Sequence, residues 1–105
     1  MKKRQLALLA VLNLTACTSE AKGDIKLGEQ KAQTCAACHG AKGVSVVASY
    51  PNLAGQKEQY LIKQLKDFKT KVRNDPVMTV MAMPLSEQDI KNISAYYASL
   101  DPRGQ

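Results

Sequence analysis

Two cysteines and a histidine stand within five consecutive residues of this 105-residue chain, at Cys35, Cys38 and His39. Two thiols on one helical turn can each add across a vinyl group of the same haem, and the adjacent imidazole can reach the iron from the same side. The spacing C-x-x-C-H is therefore typical of covalent haem attachment. It predicts one covalent haem c, with His39 as an axial ligand of the iron.

The same two cysteines would also suit a redox-active dithiol or half of a zinc site. A thioredoxin-like motif belongs in a β-α-β context, and a structural zinc site needs four ligands. Neither is visible, because Cys17 is the only other cysteine and His39 is the only histidine. Haem attachment is favoured, and a haem-free dithiol protein stays as an alternative that the colour of the protein would decide.

The chain begins with the features of an export signal. Lys2, Lys3 and Arg4 are basic, and the apolar run from Leu6 to Leu12 is too short to span a bilayer. We therefore interpret residues 1–16 as a signal peptide that is removed from the mature protein.

The signal ends in the letters L-T-A-C at residues 14–17, which resemble the bacterial lipobox. This resemblance implies cleavage before Cys17, a lipid on its sulfur, a tether over residues 17–23 and a domain over residues 24–105. The protein would then be held on the periplasmic side of a membrane. Thr18, the residue after the cysteine, favours the outer membrane as that location. A soluble periplasmic protein with an incidental Cys17 is the alternative.

The basic balance of the chain is smaller in the mature protein than the net charge of +6 suggests. Three of the fifteen lysines and arginines lie in the signal peptide, which leaves twelve against nine acidic residues. Two haem propionates would bring the mature charge to about +1. An exported protein with this balance is not expected to bind nucleic acid.

The domain has a helical pattern with long interruptions. Asp24 is a suitable cap for a helix that runs toward Gln33 and delivers the attachment motif. Residues 40–56 contain three glycines and a proline and predict a wrapping loop. The valines at 44, 46 and 47 suggest a strand, but no partner strand is apparent, so we favour the loop.

Two further helices follow. From Lys57 to Lys71 the apolar residues recur at helical spacing with lysines between them, which predicts an amphipathic helix. A Met-rich loop is expected next. Ser86 then caps a last helix, with Asp89 at the third helical position, and Pro102 ends it.

Several segments together resemble a class I cytochrome c, over nearly all of residues 24–100. They are P-N-L-A-G-Q at 51–56, Tyr60-Leu61, Lys63-Gln64-Leu65, Asp75-Pro76-Val77-Met78, and the closing Asp89, Ile90, Ala95, Tyr96 and Tyr97. The chain is similar to short bacterial periplasmic monohaem cytochromes related to each half of the dihaem type. The resemblance implies an all-α fold in which three main helices and their loops wrap around one covalently attached haem.

The resemblance also implies roles for individual residues. Met78 would supply the second axial ligand through its thioether, although Met81 and Met83 are alternatives. The carbonyl of Pro51 would accept a hydrogen bond from His39. Leu53 would pack on the haem face, Gln56 and Arg73 would contact the haem propionates, and Gly28 and Tyr96 would mark the crossing of the first and last helices.

The implied function is electron transfer by low-spin iron with His and Met ligands, without enzymatic activity or a small-molecule substrate. Redox proteins would be donor and acceptor, and the lysines of the central helix would either face an acidic partner or form a solvated surface. A haem sensor for small ligands and an accessory haem subunit of a respiratory complex are the alternatives. The absence of a second histidine argues against the sensor.

Overall fold

The computed structural model describes residues 1–15 and 21–105. Residues 1–15 have no regular secondary structure and are exposed to solvent. Cys17, the predicted lipidation site, and most of the predicted tether lie outside the described residues. In the described ranges no helix combines the length and the apolar character needed to cross a bilayer.

Five helices form the domain, and no strand occurs among the described residues. The prediction of an all-α fold is therefore confirmed, and the valines at 44–47 belong to a loop as expected. The helices are α1 (Ile25–Lys31), α2 (Gln33–His39), α3 (Glu58–Lys69), α4 (Met78–Ala82) and α5 (Glu87–Ser99).

The first predicted helix is two helices in the structure. Asp24 caps α1 as expected, because its carboxylate accepts a hydrogen bond of 2.9 Å from the amide of Leu27. At Ala32 the ψ angle opens to 0°, and the amide of Cys35 bonds to the Ala32 carbonyl three residues back, as in a tight 3₁₀-type turn. The helix then continues as α2 and carries the attachment motif to its own end at His39.

The crossing of α1 over α5 depends on Gly28, as predicted. A Cβ atom at this position would lie 1.9 Å from the carbonyl oxygen of Asn92 and 2.9 Å from the Cβ of Tyr96. The Asn92 side chain ties the two elements together, because its Oδ1 accepts a hydrogen bond of 2.8 Å from the amide of Asp24. The missing side chain therefore allows backbone contact between the helices.

The core lies between α3, α5 and the end of α1. It consists of six buried residues, Ala32, Leu61, Leu85, Ile90, Ile93 and Tyr97. The capping box predicted for α5 is confirmed: the Asp89 amide donates to Ser86 Oγ at 3.0 Å, and the Ser86 amide donates to an Asp89 carboxylate oxygen at 2.9 Å. This fixes where α5 begins and which of its faces meets the core.

The Met-rich loop was predicted without regular structure, and this is wrong for five residues, which form α4. The cause is Asp75, whose Oδ1 accepts hydrogen bonds from the amides of Val77 and Met78 at 2.9 and 2.8 Å. The Thr79 hydroxyl in turn accepts a hydrogen bond of 3.1 Å from the Asp75 amide. These bonds satisfy amides that would otherwise lack partners and start a short helix at Met78.

Residues 40–56 wrap from α2 to α3 without regular structure. Both the Leu53 and the Ala54 amides donate to the carbonyl oxygen of Gly43, at 2.8 and 2.9 Å. The Gly55 amide donates to the carbonyl oxygen of Tyr97 on α5, at 2.9 Å. The loop is thereby fastened both to itself and to the last helix.

Candidate haem site

The two thiols of the motif lie on one side of α2, three residues apart, and both are half-buried. Both are free thiols in the structure. Burial raises the pKa of the Cys35 thiol above its ordinary value, although nearby hydrogen bonds oppose this effect. Two adjacent, reduced sulfurs on the same helical turn have the arrangement that double thioether attachment requires.

His39 ends α2 and is buried, with 6% of its surface exposed. Its Nδ1 lies 2.8 Å from the carbonyl oxygen of Pro51, so the predicted hydrogen bond is present. A carbonyl oxygen can only accept, and Nδ1 therefore carries the proton. The lone pair of the neutral ring is then on Nε2, which is the state that a metal ligand needs.

The segment that carries Pro51 is held against the end of α2 by Ser45 and Asn52, to which the sequence assigned no role of their own. The Ser45 hydroxyl donates to the carbonyl oxygen of Cys38 at 3.0 Å, and the Ser45 amide donates to Asn52 Oδ1 at 2.8 Å. Ser and Asn are common turn residues, so their types signal a turn but not this contact. Together they bring the Pro51 carbonyl to His39.

Met78 is the first residue of α4 and is half-buried, whereas Met81 and Met83 are 38% and 50% exposed. The carboxylate of Asp75 fixes the backbone of Met78. The amides of Met78 and Val77 in turn hold the pKa of Asp75 below its ordinary value. Among the three methionines, Met78 has the more sheltered side chain and the more constrained backbone.

The remaining predicted site residues have protein partners in the structure. Leu53 is half-buried and packs against the core cluster. The Gln56 side-chain oxygen accepts a hydrogen bond of 2.8 Å from the amide of Lys57. Arg73 is exposed, donates to the Gln64 side chain at 2.7 Å and lies over the Phe68 ring, 4.5 Å from its centroid. The propionate contacts assigned to Gln56 and Arg73 stay predictions.

The lysines between the apolar residues of α3 are engaged within the molecule. Lys63 pairs with Asp67, and Lys66 lies 3.4 Å from Glu87. The Lys69 ammonium group bonds to the carbonyl oxygen of Leu85. These contacts favour the interpretation of this face as a structural and solvated surface.

Haem fits the residues of this site. The two half-buried thiols are three residues apart on α2 and are not joined to each other, and Pro51 leaves the second ring nitrogen of the buried His39 free to bind a metal. A zinc site fits less well, because the described residues contain no group of three or more His, Cys, Asp and Glu side chains that would hold a metal ion.

Residues 25–101 match the family described as Cytochrome c. The chain belongs to the cytochrome c family. It is 46% identical over 99 residues to cytochrome c4 of Pseudomonas aeruginosa, covering 94% of this chain and 49% of that protein. It is 48% identical over 80 residues to cytochrome c-554(548) of Halomonas halodenitrificans, covering 73% of this chain and 96% of that protein.

The fold of this cytochrome agrees with a solved relative. Reduced recombinant cytochrome c4 from Pseudomonas stutzeri aligns with a TM-score of 0.72 and 42% identity, covering 75% of this chain and 46% of that one. The chain thus spans about half the length of the cytochromes c4 that it matches. The resemblance to a class I cytochrome c and the predicted fold are confirmed, and the cofactor of the family is covalently bound haem c.

Proposed function

We propose that this cytochrome is an electron carrier that cycles one haem between ferrous and ferric iron. The observation that supports this most strongly is the buried His39 beside two free thiols on one helix, with its ring held by Pro51. The bound haem supplies the one-electron couple. The chain supplies attachment, axial ligands and exclusion of water.

Each residue of the motif has a defined task in this proposal. The thiols of Cys35 and Cys38 would hold the haem covalently, each through a thioether bond to one of its two vinyl groups. The Nε2 atom of His39 ligates the iron. The hydrogen bond to Pro51 keeps the ring from rotating and makes it a stronger donor to the metal.

We further propose that the Met78 thioether would hold the iron as the second protein ligand beside His39. A thioether ligand and an apolar pocket stabilise ferrous iron, so the midpoint potential is expected to be positive relative to a site with two histidines. With both axial positions filled by protein, the iron has no open position for a substrate. The chain is therefore proposed to be a carrier and not an enzyme, and its donor and acceptor are other redox proteins.

Replacement of the methionines one at a time tests this assignment. In the haem-loaded Met78→Ala variant the iron has an open position, so carbon monoxide should bind to the ferrous protein and shift its absorption spectrum. Met81→Ala and Met83→Ala are matched controls from the same segment, and both should keep a low-spin spectrum that carbon monoxide leaves unchanged. A gas response in the unmodified protein, or in a control variant alone, would refute the assignment.

We further propose that the protein is exported and anchored through a lipid on Cys17. The basic start, the short apolar run and the L-T-A-C sequence support this. The anchor would hold the cytochrome on the periplasmic side of a membrane, with a leaning toward the outer membrane. Its partners would then be redox proteins that reach the same membrane surface, and nucleic acid would not be among them.

A further inference from the structure

Three hydrogen bonds between the end of α2 and the following loop close a ring that includes His39. His39 Nδ1 donates to the Pro51 carbonyl oxygen at 2.8 Å. The Ser45 amide donates to Asn52 Oδ1 at 2.8 Å, and the Ser45 hydroxyl donates to the Cys38 carbonyl oxygen at 3.0 Å. Cys38 precedes His39 and Pro51 precedes Asn52 in the chain. Each member of the ring is therefore joined to the next by a hydrogen bond or by the chain itself.

The position of the Pro51 carbonyl depends on its neighbours, because proline has no N–H group with which to hold itself in place. The two residues after Asn52 are fastened to the Gly43 carbonyl oxygen, to which their amides donate at 2.8 and 2.9 Å. Asn52 itself is fastened through its side chain to the Ser45 amide. Residues 43–45 are thus paired with residues 52–54, and Pro51 lies directly beyond the paired stretch.

Ser45 joins this paired stretch to α2. The last carbonyl groups of a helix have no partner within the helix, and the half-buried Ser45 hydroxyl donates to one of them, that of Cys38. The hydroxyl also lies 3.0 Å from the Val47 carbonyl oxygen, and it accepts from the Val47 amide at 3.1 Å. The side chain is thereby fixed in its own turn and reaches the residue directly before His39.

We propose that Ser45 and Asn52 are positioning residues for the axial ligand, which hold the Pro51 carbonyl on His39 Nδ1 and thereby lower the midpoint potential. The inference rests on the proposed function, since it requires iron on His39 Nε2. A strong hydrogen bond at Nδ1 makes the imidazole a more basic ligand. A more basic ligand stabilises ferric iron, which carries the additional positive charge. The ring of hydrogen bonds would thus act on the potential through the histidine alone.

The test is a Ser45→Ala variant of the haem-loaded protein, with Ser49→Ala as its matched control. Ser49 lies in the same loop and is exposed. A spectroelectrochemical titration should show a higher midpoint potential for Ser45→Ala, because a loosened Pro51 carbonyl leaves His39 a poorer donor to ferric iron. Ser49→Ala should have an unchanged potential. Ser45→Thr keeps a hydroxyl and should have the potential of the unmodified protein. All three variants should keep the low-spin spectrum.

Asn52→Ala opens the same ring at its other bond. The potential should rise again, but by less than in Ser45→Ala, because the bond to Asn52 is exposed and water can replace it, whereas the bond to Cys38 is partly buried. The ring is open after either change, so the double variant Ser45→Ala/Asn52→Ala should shift the potential by less than the sum of the two single shifts. Additive shifts would show that the two residues act separately and would overturn the inference.

The outcomes separate this inference from the proposed function. If Ser45→Ala keeps a low-spin spectrum and an unchanged potential, the inference fails while the carrier stands. A lower unfolding temperature without a change in potential would mark Ser45 as a structural residue only and would also overturn the inference. An equal rise in the Ser49→Ala control would do the same. If the unmodified protein binds no covalent haem or responds to carbon monoxide, the proposed function itself fails.

If the variants attach no haem, hydrogen exchange in the unmodified protein provides the test. In the ferrous, diamagnetic state, NMR should show slow exchange with water for both the Ser45 amide proton and the His39 Nδ1 proton. The two exchange rates should also respond alike to low concentrations of urea, because one opening of the ring releases both protons. A Ser45 amide in fast exchange beside a protected His39 proton would overturn the proposal.

Discussion

At the scale of single residues, Asp75 has the clearest task outside the attachment motif. Its carboxylate holds the amides of Val77 and Met78 and fixes where α4 begins. Asp75 thus positions Met78, the ligand proposed for the iron, through the backbone amide of Met78. The proposed methionine side of the haem site would therefore be sensitive to acid through the half-buried carboxyl group of Asp75.

The pH dependence of stability should report on Asp75. Because the pKa of Asp75 is lowered in the folded protein, its contribution is fully present above the unfolded value of about 4 and is lost as the pH falls through the folded value. Asp75→Ala should lower the urea midpoint at pH 6, and the difference from the unmodified protein should shrink at acid pH. Urea titrations of both proteins at a series of pH values measure this.

The control for Asp75 is another carboxyl group whose folded pKa is lowered. Asp101 is half-buried and pairs with the exposed Arg103 only two residues away, outside the elements of the haem site. Asp101→Ala should change the urea midpoint little, and should leave the near-infrared absorption of thioether-ligated ferric haem in place. An equal fall in the urea midpoint of both variants would contradict the role assigned to Asp75.

Some residue roles were accessible from the sequence and others were not. The bond between His39 and Pro51 was implied by the family resemblance, whereas the capping box of Ser86 and Asp89 followed from the three-residue spacing of its members. Ser45 was missed as a contributor to the site, because its contact with the Cys38 carbonyl depends on which segments meet in three dimensions.

At the scale of the elements, the contact between α1 and α5 fixes the position of α1, which leads directly into the attachment helix α2. Gly28→Ala would place a methyl group 1.9 Å from the Asn92 carbonyl oxygen. This oxygen belongs to the backbone of α5, which cannot rotate away as a side chain could. Forced overpacking of this kind costs about 1–3 kcal/mol. Thermal unfolding of the haem-loaded variant should therefore begin at a lower temperature than that of the unmodified protein.

Gln30→Ala is the matched control for this prediction, because it alters an exposed position two residues further along the same helix. Alanine has a high helix propensity, so this change should be neutral or slightly stabilising. If Gly28→Ala unfolds at the same temperature as the unmodified protein, the helices have room to separate and the crossing is not a close backbone contact in solution.

The long helices were predicted from the hydrophobic pattern of the sequence, but the short ones were not. The helices α3 and α5 are long and amphipathic, and their existence was predicted within a few residues of the observed bounds. The short helix α4 and the break at Ala32 were missed. Helices of five to seven residues are stabilised by caps and by packing more than by periodicity, so a loop rich in methionine gives no warning of one.

At the scale of the whole molecule, the domain has few large buried side chains. The fully buried set is small, and Phe68 is the only phenylalanine in the chain. A domain of about 60 residues buries only about 60% of the surface that its unfolded chain exposes, and one of this size buries little more. A large apolar cofactor bound between the elements would therefore supply packing that the side chains alone do not.

Loss of covalent attachment should for this reason be a loss of stability. The double variant Cys35→Ala/Cys38→Ala keeps His39 but has no thiol to bond with the vinyl groups. Circular dichroism should show a much lower unfolding temperature than for the haem-loaded protein, or no cooperative transition, because anything that binds only the native state stabilises it. A cooperative transition at an unchanged temperature would show that the polypeptide folds without help from the haem.

The anchor proposed at Cys17 concerns the molecule and its surroundings. Cys17→Ser should abolish incorporation of radiolabelled palmitate and release the cytochrome from washed membranes into the soluble periplasmic fraction. Ser99→Ala serves as a control with no cysteine altered and should leave both measurements unchanged. Recovery of Cys17→Ser in the membrane fraction would mean that something other than a lipid holds the protein there.

The contact between His39 and Pro51 also bears on whether a proton moves with the electron that this cytochrome is proposed to carry. The Nδ1 proton of His39 points at a backbone carbonyl, and in the proposed site Nε2 would hold the iron, so both ring nitrogens would be occupied in either oxidation state. Through this proposed ligand the protein would transfer an electron without an accompanying proton. If the membrane stores energy as a proton gradient, proton movement would have to be coupled to electron transfer at the donor or the acceptor. This cytochrome would carry only the electron between them.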